Sequence, residues 1–472
     1  MQNTLYTNDN LFTLCGMNSE IADLFYLDPP FNSKRIYSAP VGTKSAGASF
    51  KDMWGWEDVN EAYLDKIVEN YPSLVDFIKS IQVSHSKAMM AYITYMTQRL
   101  IEMHRILKHT GSLYLHCDPT ASHYLKMLLD FIFGRDNFRN EITWERSEQH
   151  NLAKKKFDTV TDIILYYTKS DDYYFQTQFS KLSLKEIEEK FPYTEEETGR
   201  RFMHRNLDKS SNRNYIGKRI IQGREIESLL GWIWTQETFD ERLAENPYLI
   251  YWTKNDKPRY KIYADEYLGR QNTNLWDDIK GLGSMSKERT GYPTQKPLSL
   301  LKRIIEASSK EGDLVIDPFC GCATTCVAAQ QLNRKWIGID IEEKAAEVLI
   351  DRLSDDAGLF KDFAYINVLK NPKLNPQRTD LLIESITDES VKERLFAQQK
   401  GCCNGCNISL DIWHFEVDHI VPKAKGGGDY YENFQLLCGN CNRIKGAKPM
   451  EYLRLKIRTR QELMRGQVEF GE

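Results

Sequence analysis

The stretch from Leu24 to Phe31 constrains the fold more than any other part of this 472-residue chain. Its first four residues are apolar, as in a strand that is buried on both faces of a parallel sheet. Two prolines follow, and the second cannot continue a hydrogen-bonded ladder, so the chain must leave the sheet at Asp28. Open α/β sheets bind ligands at the carboxyl ends of their strands. The sequence therefore predicts a site formed by Asp28, Pro29 and Phe31.

These three residues suit the activation of an amine on a nucleobase. Such an amine is a weak nucleophile, because its lone pair is delocalised into the ring. The Asp28 carboxylate and the Pro29 carbonyl could accept its two N–H groups, and Phe31 could stack on a base flipped out of the duplex. The plainer alternative is a strand that ends in a turn, with Asp28 as a helix cap.

Length and composition limit the class of protein. A chain of 472 residues predicts two or three domains. It contains no apolar run of 18 residues, and its first ten residues lack the features of a signal peptide. We therefore expect a cytoplasmic protein with no membrane partner. The net charge of −4 does not by itself indicate a nucleic-acid binder, so the local distribution of charge matters more.

Strands and helices alternate over residues 1–169, which predicts a doubly wound sheet. Residues 32–60 lack helical periodicity and are interpreted as a mobile loop that acts as a lid. The predicted elements are a strand and turn at 4–14, helices at 84–107 (ending near Gly111) and 125–133 (closed by Gly134), and strands at 24–27, 113–116, 141–144 and 162–168.

Residues 170–285 lose this alternation and carry basic and aromatic residues. Basic groups neutralise phosphates, and aromatic or amide side chains contact bases. The alternative is a solvated surface insert. The residues concerned are Arg200, Arg201, Arg205, Lys209, Arg213, Lys218, Arg219 and Arg224, with Tyr215, Trp232 and Trp234 among them.

The sheet pattern resumes after residue 285. The sequence predicts a helix at 298–308, a strand at 313–317, a turn of small residues, a helix at 326–332 and a strand at 336–340. A strand, tight turn, helix and strand that ends in an acid, here Asp340, suits an adenosine-type cofactor whose ribose the acid binds. The turn lacks the full GxGxxG pattern, so a cofactor without phosphates fits better.

Residues 1–355 resemble the β class of S-adenosylmethionine-dependent DNA amino-methyltransferases. LDPPF at 27–31 resembles the catalytic motif and DPFCGCATT at 317–325 resembles the cofactor motif, in the order typical of that class. Residues 115–120, 123–126, 140–144 and 292–297 also resemble it. The resemblance implies an α/β, permuted Rossmann-like fold with a mostly parallel doubly wound sheet and a target-recognition insert. DPPF rather than SPPY favours N6 of adenine over N4 of cytosine.

The resemblance also implies which residues bind S-adenosylmethionine. Ala323 stands where many members have glycine, which costs little unless φ there is positive. The implied cofactor residues are Asp317 at the start of the motif, Phe319 and Gly321 at the methionine side, Asp340 at the ribose, Thr294, Gln295 and Lys296 at the carboxylate, and Asp9 at the adenine ring.

Two CxxC pairs, separated by 31 residues, lie near the carboxyl terminus. This spacing is typical of the four ligands of a tetrahedral zinc ion. In a large chain without secretion features, paired cysteines indicate zinc more readily than disulfides. Cys402 is off this spacing and is not predicted to be a ligand. Such zinc is often purely structural. The predicted ligands are Cys403, Cys406, Cys438 and Cys441.

Polar residues around the second pair suggest nuclease chemistry. His419 could act as a general base, Asp418 and Asn442 could bind Mg²⁺, and Asn433 could orient the histidine. The pattern resembles an HNH endonuclease domain, the ββα-metal fold with an accessory zinc ion. The alternative is a zinc-stapled DNA-binding module without chemistry. Residues 443–465 hold eight Arg or Lys against two Glu, which suits phosphate contacts or a solvated helix.

The predicted domains are a catalytic half (1–169), an insert (170–285), a cofactor half (286–355), a linker with a helix at 386–399 (356–400) and an HNH domain (401–472). Our first hypothesis is a bifunctional restriction–modification enzyme that methylates adenine N6 in double-stranded DNA and cleaves DNA. The second is a solitary methyltransferase whose zinc domain only binds DNA. A third is a nuclease that acts on differently modified DNA, with the methyltransferase part as reader. The recognition sequence and homodimerisation stay open.

Overall fold

A computed structural model describes residues 3–30, 35–38, 43, 49–52, 59, 67, 71–147, 155, 157–208, 216–283, 286–355, 363–423, 427–448, 450, 452–454 and 456–457. The chain divides into two compact units, one formed by residues 1–176 and 273–472 and the other by residues 177–272. Among the described residues, no helix has the length and apolar character needed to span a membrane.

The strands are β1 (Asn3–Thr7), β2 (Ala22–Leu27), β3 (Arg35–Ser38), β4 (Ser49–Asp52), β5 (Leu107–Cys117), β6 (Phe138–Glu145), β7 (Thr161–Thr168), β8 (Phe179–Ser180), β9 (Tyr193–Thr194), β10 (Arg201–Asn206), β11 (Gly217–Ile221), β12 (Arg224–Ser228), β13 (Ile250–Trp252), β14 (Pro258–Tyr263), β15 (Arg270–Gln271), β16 (Leu275–Trp276), β17 (Leu314–Asp317), β18 (Lys335–Asp340), β19 (Phe363–Asn367), β20 (Phe415–His419) and β21 (Phe434–Cys438). The α-helices are α1 (Asn10–Gly16), α2 (Pro72–Ser84), α3 (Lys87–Ile106), α4 (Ser122–Phe133), α5 (Leu184–Lys190), α6 (Gln236–Glu245), α7 (Leu298–Ser308), α8 (Thr324–Gln331), α9 (Glu343–Asp355), α10 (Glu389–Gln398) and α11 (Gly439–Lys445).

A nine-stranded sheet forms the framework of the first unit, in the order β16-β6-β7-β5-β2-β17-β18-β1-β19. β7 runs antiparallel to β5 and β6, and the other neighbours are parallel. The central pair joins distant parts of the chain, because Leu24 and Phe25 of β2 pair with Val315 and Ile316 of β17. The mostly parallel α/β sheet predicted from the sequence is confirmed.

Helices cover both faces of this sheet because their apolar residues recur at helical spacing. α3 begins after Ser86, whose hydroxyl accepts the backbone N–H of Met89. Its buried side chains pack with those of α4 on one face of β2, β5 and β17. On the other face, buried residues of α7 and α8 pack against β2, β17 and β18. The sheet is therefore buried on both sides, as its apolar central strands require.

The second unit contains a four-stranded sheet, β13-β14-β10-β9, and a hairpin of β11 and β12. Trp232, Phe239 and Ile250 belong to its apolar core. Acidic partners neutralise much of the basic stretch predicted there, since Arg200 pairs with Asp265 and Lys218 pairs with Glu225, at 2.7 Å each. Lys209, Arg213 and Tyr215 lie outside the described residues.

A small module ends the described chain. β20 and β21 form an antiparallel hairpin, and α11 follows β21 directly. Buried residues of α10, the hairpin and the segment around Met450 and Leu453 form its own apolar core. A two-stranded hairpin needs such a partner, because it is marginally stable alone.

Several predicted elements are confirmed to within three residues at each end, including α4, α7, β6, β7, β17 and β18. Two predictions are wrong. The helix predicted at 84–107 is confirmed as α3 (Lys87–Ile106), but the end signal at Gly111 is wrong, because β5 begins at Leu107 and Gly111 lies inside it. Residues 4–14 hold a strand and a helix rather than a strand and turn.

The expected linker at 356–400 also differs from the structure. Its residues 363–367 form β19, which adds an edge strand beside β1. Most of the expected lid at 32–60 lies outside the described residues.

We expect Gly338→Ala to lower the free energy of unfolding by about 1–3 kcal/mol, because overpacking costs that much in a filled core. Gly338 lies in β18, where an added Cβ would lie 2.8 Å from the Cys326 Sγ atom and 3.1 Å from the Cys320 Sγ atom. Denaturant unfolding followed by tryptophan fluorescence measures this change. Gly283→Ala is the control, since a Cβ there meets no atom within 4 Å. Equal stability of the two variants would contradict the packing described.

Candidate functional site

The candidate site lies at the carboxyl ends of four adjacent parallel strands, β2, β17, β18 and β1. Asp28 follows β2, whereas Asp317 and Asp340 are the last residues of β17 and β18. Thr7 ends β1 opposite Asp340, and Asn8 donates its backbone N–H to the Asp340 carbonyl at 2.9 Å. The parallel arrangement therefore brings acids from distant parts of the chain to one edge.

A cavity of about 500 Å³ opens at this edge, a size within the usual range for small-molecule sites. It is lined by every residue that the sequence assigned to cofactor binding: Asp9, Thr294, Gln295, Lys296, Asp317, Phe319, Gly321 and Asp340. Asp28, Pro29 and Pro30 line it as well. Phe31 lies outside the described residues.

Asp28 is held by an ion pair with Lys296. The Lys296 ammonium lies 2.7 Å from one Asp28 carboxylate oxygen and 2.6 Å from the other. The side chains of Lys296 and Asp28 are 9% and 19% exposed, so water screens this pair less than a surface pair. Because Lys296 lines the cavity, its ammonium group can contact a bound ligand in addition to its contact with Asp28.

Asp317 organises the turn of small residues. Its carboxylate accepts the Phe319 backbone N–H at 3.0 Å and the Thr325 hydroxyl at 2.5 Å. These bonds tie both ends of the turn to β17. Burial raises the pKa of Asp317 to about 7.

Asp340 also accepts hydrogen bonds from the backbone of this region. Its carboxylate oxygens accept the N–H of Gly321 at 2.8 Å and the N–H of Glu342 at 2.9 Å. Burial raises its pKa to about 6. Gly321 has φ +49°, and a Cβ there would lie 3.0 Å from the Tyr292 ring, so the turn approaches the cavity closely.

Ala323 has φ +56°, in the left-handed region that an alanine adopts at a cost of about 1–2 kcal/mol. Alanine in place of the glycine found in many members of the family therefore has a cost at this position, because φ is positive. Ala323 is fully buried and precedes α8, so tight packing against the sheet maintains the strained backbone.

Asp9 has two partners on the other side of the cavity. Its carboxylate caps α1 by accepting the Leu11 N–H at 2.9 Å, and it pairs with the Arg99 guanidinium at 2.8 Å. Arg99 also donates to the Asn10 side chain at 2.6 Å, and Asn10 donates to the Pro318 carbonyl at 2.7 Å. Polar contacts thus join α1 to the cofactor turn.

Thr294 and Gln295 hold the loop that precedes α7. The Gln295 side chain accepts the Thr290 N–H at 2.8 Å and donates to the Glu288 carbonyl at 2.9 Å. Thr294 has φ +62°, another strained position at the cavity.

Sequence reasoning missed three tyrosines that line the cavity, Tyr26, Tyr95 and Tyr292. Tyr26 lies on β2 two residues before Asp28, and both residues line the cavity. The place of Tyr26 beside the predicted site was a signal present in the sequence. The contributions of Tyr95 in α3 and of Tyr292 depend on tertiary packing.

The four predicted zinc ligands come together in the C-terminal module. The Sγ atoms of Cys403, Cys406, Cys438 and Cys441 lie within 4.8 Å of one another. A hydrogen bond also connects the two pairs, in which the Cys438 backbone N–H donates to the Cys403 Sγ atom at 3.2 Å. Four thiolates around one point fit tetrahedral Zn²⁺. Among the described residues, this is the one group of metal-binding side chains found.

His419 ends β20 beside a carboxylate. Its Nε2 atom lies 2.8 Å from an Asp429 carboxylate oxygen. Asn433 holds the loop after His419, because its side chain accepts the Val421 N–H at 2.8 Å and donates to the Val421 and Gly428 carbonyls. Asn433 thus stabilises the loop that begins at the histidine, and none of its described bonds reaches the imidazole.

The two residues predicted to bind Mg²⁺ have protein partners. Asp418 pairs with the buried Lys445 ammonium at 2.8 Å and accepts from Gln435 at 3.0 Å. Asn442 donates its side-chain amide to Glu416. Both contacts join α11 to β20.

Comparison with known proteins identifies the family. Residues 22–351 match the family model described as DNA methylase, and residues 403–448 match the model described as HNH endonuclease. The first match spans more than half of this chain, so the chain belongs to the DNA methylase family. It also carries an HNH domain at its C-terminal end.

The alignments with curated relatives cover part of this chain and part of each relative. The chain is 33% identical over 284 residues to the type II methyltransferase M.EcaI of Enterobacter cloacae, an alignment that covers 60% of this chain and 62% of that protein. It is 26% identical over 350 residues to the StyLTI Mod subunit, a type III restriction–modification enzyme of Salmonella typhimurium (strain LT2), with 71% and 50% covered. The chain therefore spans about half to three fifths of the length of these relatives.

One solved structure similar to this chain is the cytosine-N4-specific PvuII DNA methyltransferase. The sequence identity is 12%, the TM-score is 0.38, and the match covers 78% of this chain and 95% of that chain. A likeness at that TM-score supports no conclusion about this chain.

We expect the purified chain to contain about one equivalent of zinc, held by the four cysteines. Cys403→Ser should lose that zinc and loosen the C-terminal module, because a structural zinc contributes folding energy directly. Elemental analysis and limited proteolysis measure both effects. Cys402→Ser is the matched control, since Cys402 neighbours Cys403 but lies outside the cluster. Full zinc content in Cys403→Ser would contradict the assignment.

Proposed function

We propose that this chain is a bifunctional restriction–modification enzyme. One part methylates N6 of adenine in double-stranded DNA, with S-adenosylmethionine as the cofactor. The HNH domain cleaves DNA with Mg²⁺. The observation that carries the methyltransferase proposal is the single cavity shared by Asp28, Pro29 and the carboxylates at the ends of β17 and β18.

The donor set of the cavity fits the cofactor. S-adenosylmethionine supplies a methyl group on a positively charged sulfur. Asp340 would accept the ribose hydroxyls, and Phe319 and Gly321 would face the methionine part. The carboxylates of Asp317 and Asp340 favour a positively charged ligand when they are ionised. Asp9 would meet the adenine ring, and Lys296 would approach the carboxylate with Thr294 and Gln295 beside it.

Asp28 and Pro29 would prepare the target amine. The Asp28 carboxylate and the Pro29 carbonyl accept its N–H groups, which directs the nitrogen lone pair at the methyl group. No covalent enzyme intermediate is needed, because the amine attacks directly. Phe31 would stack on the flipped base. The aspartate in DPPF favours adenine N6 over cytosine N4 as the target.

The nuclease half of the proposal is supported by His419. The Asp429 carboxylate at 2.8 Å from Nε2 can orient the imidazole, as expected for a general base that deprotonates water. Asp418 and Asn442 would bind Mg²⁺ after exchanging their present partners.

A specific observation favours the second candidate function, a methyltransferase whose zinc module only binds DNA. Asp418 is engaged by Lys445, and Asn442 is engaged by Glu416. In this arrangement neither proposed Mg²⁺ ligand is free. Basic residues of α11 and its surroundings, Arg443, Lys448 and Lys456, line a surface that suits phosphate groups.

We expect Asp28→Ala to lower the single-turnover rate of DNA methylation by about 10²-fold or more, because the amine loses its charged acceptor. Binding of S-adenosylmethionine, measured by calorimetry, should change little. Asp23→Ala is the matched control, since Asp23 lies on the same strand and Lys108 contacts both its oxygens, at 2.8 and 2.9 Å. Wild-type methylation by Asp28→Ala would refute the catalytic assignment.

We expect His419→Ala to lower the rate of DNA cleavage by about 10²-fold or more, because water loses its general base. Cleavage and N6-methyladenine are scored in one reaction on unmethylated duplex DNA with Mg²⁺, with and without S-adenosylmethionine. His414→Ala is the control, since this exposed histidine lies in the same module. Methylation without cleavage by the wild-type enzyme would support the second candidate function.

A further inference from the structure

A chain of polar groups, buried at Tyr26, His116 and Asp162 and reaching the half-exposed Arg146, leads away from the cavity beside Asp28. Tyr26 lines the cavity, and its hydroxyl lies 3.1 Å from the His116 Nδ1 atom. The His116 Nε2 atom lies 3.1 Å from an Asp162 carboxylate oxygen, and the Arg146 guanidinium lies 3.0 Å from the other oxygen. Tyr26 is 2% exposed and His116 is 0% exposed. These four residues come from β2, β5, β7 and the end of β6.

The order of donors and acceptors follows from the chemistry of the groups. Burial would raise the pKa of Asp162, but the hydrogen bond from His116 and the nearby cationic groups hold it below its usual value. Asp162 is therefore ionised and can only accept, so the His116 Nε2 atom carries the proton. In a neutral imidazole the Nδ1 atom is then the acceptor, and the Tyr26 hydroxyl must donate to it.

Because the Tyr26 hydroxyl donates its proton to His116, its oxygen keeps the capacity to accept a hydrogen bond. Its own proton points towards His116, and its lone pairs remain for a ligand in the cavity. Tyr26 and Asp28 both line the cavity, so a ligand there can meet both residues. Both oxygens of Asp28 are already contacted by the Lys296 ammonium.

Methylation of an amine releases one proton, since an NH₂ group becomes an NH group that bears a methyl. We infer that Tyr26 and His116 take up this proton. An N–H bond of the methylated amine breaks as a Tyr26 O–H bond forms, and the former Tyr26 O–H bond breaks as a His116 Nδ1–H bond forms. The positive charge passes from the amine to the imidazole, next to Asp162. Tyr26 would be a catalytic residue, whereas His116 and Asp162 would be positioning residues.

Burial and the charges around His116 determine whether its imidazole can accept a proton. Burial lowers the pKa of His116, and the Lys296 ammonium lowers it further, whereas Asp162 and Asp28 raise it. His116 is therefore neutral at pH 7 and can accept a proton. The titratable and charged groups around it are Tyr26 from β2, Asp28 after β2, Asp162 from β7 and Lys296 before α7, with Arg146 after β6 in contact with Asp162.

This inference rests on the proposed methyl transfer, so its test measures single-turnover methylation of duplex DNA at saturating S-adenosylmethionine. We expect Tyr26→Phe to be about ten-fold slower or more, with unchanged cofactor affinity. Tyr114→Phe is the matched control. Tyr114 pairs with Tyr26 in the sheet, is equally buried and loses a bond of 2.7 Å to the Ser308 hydroxyl, but it does not line the cavity.

The pH profile separates proton uptake from a structural role. As pH falls through the lowered pKa of His116, Nδ1 becomes protonated and cannot accept, so the wild-type rate should fall below pH 6.5. Tyr114→Phe should keep this acidic limb, and Tyr26→Phe should lose it. Asp317 and Asp340 are present in both variants, so any limb that they produce is common to both.

Asp162→Asn provides a second variant if Tyr26→Phe fails to fold. Removal of the carboxylate lowers the pKa of His116 further, so the acidic limb should move to lower pH and the rate at pH 7.5 should fall about ten-fold. A wild-type enzyme that does not methylate DNA would refute the proposed function. A methylating enzyme whose Tyr26→Phe or Asp162→Asn variant matches Tyr114→Phe in rate and pH profile would refute this inference alone.

Discussion

The ion pair between Asp28 and Lys296 is the interaction on which the site depends. The parallel strands bring Asp28, Asp317 and Asp340 to one edge, where burial raises the pKa of Asp317 and of Asp340. Lys296 contributes the opposite charge there, and it comes from a segment 268 positions away. Leu24 and Phe25 of β2 pair with Val315 and Ile316 of β17, so the sheet places the Asp28 end of β2 beside the Asp317 end of β17.

A second group of contacts joins the methyltransferase fold to the C-terminal module. Asn8, at the rim of the cavity, donates to the side chain of Asn375 at 3.1 Å. A Cβ on Gly16 would lie 1.9 Å from the Pro376 carbonyl oxygen, so only glycine allows this approach. Val421, two residues after His419, packs with Leu11 of α1. The same short helix therefore contacts the cavity, the connecting segment and the HNH domain.

Much of the framework was predictable because it is local. The apolar runs of β2, β17 and β18 and the helical period of α3 and α7 are visible in the sequence, and parallel strands must meet at one edge. α1 was missed because it has only seven residues, too few for a periodic signal. Gly111 misled the prediction, since it lies within β5, where an added Cβ would clash with the Leu107 side chain. β19 was missed because a single edge strand has no strong pattern of its own.

The amino-acid sequence by itself determined the kinds of chemical group at the site: an acid after a buried strand, a turn of small residues between two acids, and two cysteine pairs at zinc spacing. The order and spacing of motifs are properties of the sequence itself, so they can be recognised without the structure. Only the tertiary structure decided which group meets which. It pairs Asp28 with Lys296, places Tyr26 against His116 and Asp162, and holds Ala323 at positive φ. Such contacts join strands far apart in the chain, and their geometry follows from packing rather than from any local pattern.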